Sequence, residues 1–147
     1  MISLNVLLAE DETADKDFFI EGLKKLNLPH RLSWAKDHTA LFELLEKESG
    51  FDLIIIDLDM PGKNGKQCLK EIKANEKYNS IPVIVMTVSK NTADINDVFD
   101  AGAHYYAVKP YSQRNYIETL RQVFTIDWKI PQPVPDKKQF IINLAFA

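Results

Sequence analysis

Residues 52–65 read Asp52-Leu53-Ile54-Ile55-Ile56-Asp57-Leu58-Asp59-Met60-Pro61-Gly62-Lys63-Asn64-Gly65. Leu53 to Ile56 is an unbroken bulky aliphatic run rich in β-branched residues, the pattern of a strand buried on both faces of a parallel sheet. The run stops at Asp57, and Pro61-Gly62 and Asn64-Gly65 are turn signals just beyond it. Asp57 and Asp59 are therefore expected in a loop at the carboxyl edge of a buried strand. In open α/β sheets that edge is where ligands bind.

The same pattern recurs on either side. Leu4 to Ala9 reads as a first buried strand ending in Glu10-Asp11, and His30 to Ala35 as a weaker strand at a sheet edge. Pro82 to Met86 is another all-apolar strand, ending in Thr87, and Tyr105 to Val108 a last one, ending in Lys109-Pro110. Between them the spacing turns helical. Residues 13–27 set Phe19, Leu23 and Leu26 on one face. Asp37 caps a helix to about Lys47 with Ala40, Leu41, Leu44 and Leu45 inward, and Gly50 stops it. A helix over 65–77 buries Cys68, Leu69 and Ile72, and the next carries Ile95, Val98 and Phe99 and ends at Gly102. Ser112 caps the last, with Tyr116, Ile117, Leu120, Val123 and Phe124. Five strand-then-helix units with short loops imply a parallel sheet with helices on both faces.

Bulk properties restrict the function classes. A chain of 147 residues with 21 acidic and 18 basic side chains has the size of one domain and is too balanced in charge to present a broad basic surface to nucleic acid. Cys68 is the single cysteine, which points to a reducing, cytoplasmic location. The start lacks a basic region and its apolar run breaks at Glu10-Asp11-Glu12, so neither a signal peptide nor a membrane span is expected.

Residues 127–147 differ in character. Pro131, Pro133 and Pro135 predict an extended segment. Beyond it Phe140, Ile142, Leu144 and Phe146 alternate with Ile141, Asn143 and Ala145, as in a half-buried strand. A short terminal helix is the alternative, since Phe140 and Leu144 are also four apart. This segment is expected to add a strand or an apolar plug to its own domain or to a second copy.

Glu10, Asp11, Asp57, Asp59, Thr87 and Lys109 thus converge on one sheet edge. Carboxylates brought to 4 Å repel by roughly 4 kcal/mol per pair at an effective dielectric of about 20, so the cluster calls for a cation or a retained proton. Hard oxygen ligands at an open loop suit Mg²⁺ together with phosphate. Asp57, directly after a buried strand, is the candidate nucleophile toward phosphorus. Thr87 offers a hydroxyl and Lys109 a positive charge to phosphoryl oxygens.

With these residues in place, the chain resembles a response-regulator receiver domain of two-component signalling, of the stand-alone type. The resemblance spans residues 3 to about 125. It rests on Glu10-Asp11, on Asp57 within Ile-Ile-Asp-Leu-Asp-Met-Pro-Gly, on Thr87 after Val-Ile-Val-Met, on Tyr106 within Gly-Ala-His-Tyr-Tyr, and on Lys109-Pro110. It implies a flavodoxin-like (βα)5 doubly wound sheet of order 2-1-3-4-5, an order that a chemotaxis receiver illustrates. Residues 1–126 are then the receiver domain and 127–147 a C-terminal extension.

The resemblance further implies that Asp57 is phosphorylated by a phosphohistidine of a sensor histidine kinase or phosphotransfer protein. Mg²⁺ would be held by Asp11, Asp57 and the backbone carbonyl of Asp59, assisted by Glu10. Thr87 and Tyr106 would act as a two-state switch altering the face made by the fourth helix, fifth strand and fifth helix. That face, or the tail, would also serve a homodimer. Glu10 stands where Asp is more usual, Val88 where a small residue is common, and Asp59 adds a carboxylate. Such a protein is a phosphoacceptor rather than an enzyme, and with so few residues after the last helix its output is expected to be protein contact. Two alternatives stand beside this reading. One is a docking module that works without phosphorylation. The other is a haloacid-dehalogenase-type phosphatase, which shares Asp57-x-Asp59 but carries it on its first strand.

Overall fold

The computed structural model describes residues 3–142. Six parallel strands form one sheet: β1 (Leu4–Ala9), β2 (His30–Ala35), β3 (Leu53–Ile56), β4 (Val83–Thr87), β5 (Tyr105–Val108) and β6 (Ile141–Ile142). Their order is β2-β1-β3-β4-β5-β6, so the expected 2-1-3-4-5 sheet is present and carries one further strand. Five helices connect them: α1 (Thr13–Lys25), α2 (His38–Lys47), α3 (Gly65–Ala74), α4 (Thr92–Asp100) and α5 (Gln113–Thr125).

The aliphatic run of β3 shows why both faces must be covered. Successive side chains leave a strand on opposite sides. Ile54 and Ile56 join Leu41, Leu69, Ile72 and Val98 from α2, α3 and α4. Leu53 and Ile55 join Phe19, Leu23, Leu120 and Val123 from α1 and α5. Each such fully buried side chain stabilises the fold by about 1.5–3 kcal/mol relative to an exposed one. β2, at the sheet's edge, has only Ala35 fully withdrawn from water, which is why it reads weakly.

Side-chain caps fix where helices begin. Asp37 accepts from the Ala40 amide at 2.8 Å, Ser112 from Asn115 at 3.2 Å, and Asn64 forms a reciprocal capping box with Gln67. α3 ends at Ala74, short of the expected Lys77. The Asn75 side chain instead accepts from the Lys77 amide at 2.9 Å, and its carbonyl takes the Tyr78 and Asn79 amides. That local turn competes with another helical turn.

The C-terminal segment returns over the sheet. Trp128 is buried, its indole N–H donating to Val123 O at 2.9 Å. Lys129 pairs with Asp52 at 2.7 Å, and residues 131–136 form neither helix, strand nor turn, in keeping with the prolines. A turn with Gln139 N bonded to Asp136 O at 3.1 Å delivers Phe140 and β6 to the open edge of β5. The alternation across 140–146 suggested Phe140 and Ile142 on one side. They belong instead to opposite cores, because Phe140 lies just before the strand and is not part of its alternation. The rest of that pattern, and the terminal-helix alternative, fall on residues 143–147, outside those described. Among the described residues no helix is long and apolar enough to cross a membrane.

Two tests follow from this packing. A Cβ on Gly65 would lie 2.4 Å from Asp57 O and 2.7 Å from Leu58 Cα, so Gly65→Ala is expected to destabilise by about 1–3 kcal/mol and lower Tm by roughly 3–10 °C in a thermal melt. The second concerns His104, whose Nε2–H donates to Gln132 O at 3.1 Å while Nδ1 is buried. Burial, reinforced by Lys73 and opposed by the Gln132 bond, holds His104 below its ordinary 6.5. The unfolded chain therefore takes the proton first. This contribution to stability is full above about 6.5 and is lost as pH falls through the lower folded value. Melts against pH should show that decline, flattened in His104→Gln.

Candidate functional site

Strand register assembles the site. The Asp57 amide donates to Ala9 O at 3.0 Å, aligning the end of β3 with that of β1 and setting Asp57 beside Glu10. The Lys109 amide donates to Thr87 O at 2.7 Å, aligning β5 with β4. From there the Lys109 ammonium reaches across the edge to Glu10 Oε1 at 2.6 Å, Asp57 Oδ2 at 2.7 Å and Asp15 Oδ2 at 3.0 Å. The other Asp57 oxygen, Oδ1, accepts from the Asp59 amide at 2.9 Å.

Three carboxylates around one ammonium leave surplus negative charge, and Glu10, Asp57 and Lys109 are all buried. Burial foremost, with Asp57 adding repulsion, pushes Glu10 up from 4.5 to about 8, even against its contact with Lys109. Burial alone would lower Lys109, but Asp57 and Glu10 together outweigh it and hold the ammonium above its usual range. Glu10, Asp15 and Asp57 each offer an oxygen within 4.8 Å of the others. A set of hard, charge-rich oxygens of this kind fits a divalent cation such as Mg²⁺ better than it fits water.

The sequence-derived residues are distributed as follows. Glu10, Asp57 and Lys109 meet directly. Asp15, on the first turn of α1, was not among the sequence-derived candidates and completes the trio. Asp11 is half-buried and lies outside the trio. The Asp59 side chain is exposed, while its amide holds Asp57. Thr87 is fully buried at the end of β4, between β3 and β5, and its hydroxyl accepts from the Ser89 amide at 3.5 Å. Tyr106 is likewise fully buried, its hydroxyl donating to Ser89 O at 2.8 Å. Cys68 is a free, buried thiol that burial pushes up to about 11, so it is inert as a nucleophile.

The sequence matches the response regulator receiver domain over residues 6–121. This chain belongs to the receiver domain family. It is 29% identical over 124 residues to response regulator Rcp1 of Synechocystis, covering 80% of this chain and 84% of Rcp1. It is 33% identical over 122 residues to chemotaxis protein CheY-3 of Vibrio cholerae, covering 83% and 92%. The phosphorylated cyanobacterial phytochrome response regulator RcpA superposes with a TM-score of 0.81 at 27% identity, over 92% of this chain and all of RcpA's. The Mn²⁺-bound form of Rcp1 gives 0.77 at 28%, over 90% and 99%.

As a receiver domain of a two-component system, the chain is a phosphoacceptor signalling protein and not an enzyme of general turnover. It has an acidic pocket of Glu10, Asp15 and Asp57 with Lys109 of the kind typical of receivers, and histidine kinases are the partners of such domains. Lys109→Met would leave that receiver pocket with uncompensated buried charge. It is expected to cost about 3–5 kcal/mol in EDTA, with Mg²⁺ raising the variant's Tm by more than it raises the wild type's. Equal Mg²⁺ shifts in the two proteins would contradict the charge account.

Proposed function

We propose that Asp57 accepts a phosphoryl group from a phosphohistidine of a sensor histidine kinase or phosphotransfer protein, in a Mg²⁺-dependent reaction that switches a protein-interaction surface. The observation that carries this is the Asp57 carboxylate at the end of a buried central strand, 2.7 Å from the Lys109 ammonium and clustered with Glu10 and Asp15. In the transfer an Asp57 oxygen forms a bond to phosphorus. The P–N bond breaks with its electron pair leaving on the imidazole, and an acyl phosphate remains on Asp57.

The chain's own groups divide the work. Lys109, here neutralising Asp57, would follow the charge onto a phosphoryl oxygen, and the Thr87 hydroxyl would donate to another. Glu10, Asp11, Asp15 and Asp57 with the Asp59 carbonyl would hold Mg²⁺, which when bound supplies positive charge to the phosphoryl oxygens. The Mn²⁺-bound form of the relative Rcp1 supports a divalent ion here. Thr87 and Tyr106 would form the switch. To carry a population from 1:99 to 99:1 the phosphoryl group must favour one state by about 5.5 kcal/mol.

Residues 1–126 would be the receiver proper and 127–147 an extension, whose described part, to Ile142, belongs to the same folded unit, a reading supported by the burial of Trp128 and Phe140. A second copy meeting the α4-β5-α5 face or the tail is the further partner this reading admits. The buried free thiol and the kinase partnership favour a cytoplasmic setting. The phosphatase alternative has little to recommend it, since Asp57 follows the third strand and the Asp59 side chain faces solvent.

Intact mass after incubation with a small phosphodonor and Mg²⁺ tests the proposal. One phosphoryl gain is expected, labile to hydroxylamine and absent in EDTA or in Asp57→Asn. Wild-type protein that gains nothing from several donors would leave the docking-module reading in its place.

A further inference from the structure

Trp34 connects the edge strand β2 to the acidic pocket. Its indole N–H donates to Glu10 O at 2.7 Å, and the Glu10 amide donates to Ala35 O at 3.0 Å. β2 thus grips the Glu10 main chain at both its polar groups, while the Glu10 side chain reaches Lys109 at 2.6 Å. Glu10 O belongs to the planar peptide unit that Glu10 shares with Asp11, so the indole bond sets the plane from which Asp11 departs.

The Trp34 ring also meets α1. Lys16 Nζ lies 4.3 Å from the ring centroid, a cation–π contact, and Lys16 directly follows Asp15. The Lys16 amide donates to Glu12 O at 3.0 Å as the helix opens, and the Glu12 amide donates to Glu10 Oε2 at 3.3 Å. One half-buried side chain therefore supports both the loop carrying Glu10 and Asp11 and the helical turn carrying Asp15. The remaining carboxylate proposed for Mg²⁺, that of Asp57, follows β3. Covering the sheet at this edge needs only an apolar ring. The indole N–H adds a bond to the backbone of the pocket itself.

We infer that Trp34 is a positioning residue for the metal site, holding the Glu10–Asp11 peptide and the start of α1 where their carboxylates can share one cation. It acts through Glu10 and Lys16 rather than on the cation or the phosphoryl group. This rests on the Mg²⁺ reading above. Removing a group that orients metal ligands lowers metal affinity by about 10–100-fold. Trp34→Phe keeps a ring for Lys16 and removes the N–H, so the lower end of that range is expected.

Mg²⁺ titration of the isotope-labelled full chain tests this. Trp34 and Trp128 are the two tryptophans, and Trp128 packs against His104 and Tyr105, at the opposite end of β5 from Lys109. The Trp34 indole N–H resonance should move with the Kd that calorimetry gives for Mg²⁺, and the Trp128 resonance should stay. In Trp34→Phe that Kd should rise about tenfold. Phosphorylation of this variant by a small donor should slow at limiting Mg²⁺ and recover at saturating Mg²⁺. Trp128→Phe, altered far from the pocket, should lower Tm and leave the Kd unchanged. A Trp34 resonance unmoved by saturating Mg²⁺, an unchanged Kd in Trp34→Phe, or an equal rise in both variants would each overturn the positioning role alone. Wild-type protein that binds no Mg²⁺ overturns the metal reading and this inference with it.

Discussion

The molecule is organised around one buried ammonium. Lys109 reaches from the end of β5 across the mouth of β3 to carboxylates that the sheet register forces together, with contacts of 2.6 to 3.0 Å. Without a cation there, four strands could not end side by side carrying Glu10, Asp57 and, from α1, Asp15. In that low-dielectric setting each unpaired charge is costly. The surplus of acid over base is what makes the pocket want a metal ion, and the mismatch is resolved partly by Glu10, which holds its proton far above the ordinary range. Fold and chemistry thus share one constraint: the sheet can be built as it is only if its acidic edge is neutralised.

Much of this was legible in residues 52–65 and their counterparts, for a definite reason. Central parallel strands are apolar on both faces, so β3 and β4 announce themselves and deliver Asp57 and Thr87 to the same edge. β2 is weaker in sequence because it lies at the edge in space. Asp15 was missed because its value depends on where α1 sits relative to Lys109, a residue 94 positions away. No periodicity carries that information. The early end of α3 lay in one side chain, that of Asn75, whose hydrogen bond to Lys77 outcompetes another helical turn.

The tail was readable in kind and not in detail. Its prolines predicted a non-helical run, which 131–136 is, and its alternation a strand, of which Ile141–Ile142 is the part that falls on described residues. The division of Phe140 and Ile142 between the two cores was not readable, because it depends on the strand beginning one residue after Phe140. Likewise nothing local to His104 signals that it will meet Gln132 and Trp128, which approach it from the far end of the chain. Contacts made by a returning segment are tertiary facts, and sequence patterns record only what each element buries.

β6 carries a consequence for behaviour at high concentration. An open parallel sheet presents unpaired N–H and C=O groups along its outer strands, and a long, flat, apolar edge is a template for another chain. Here the edge of β5 at the fully buried Tyr106 and Ala107 is covered, among the described residues by Ile141 and Ile142. Ile141 and Ile142 thus occupy the backbone groups of Tyr106 and Ala107 that another chain would otherwise pair with. The same few residues that close the fold keep neighbouring molecules from aggregating edge to edge.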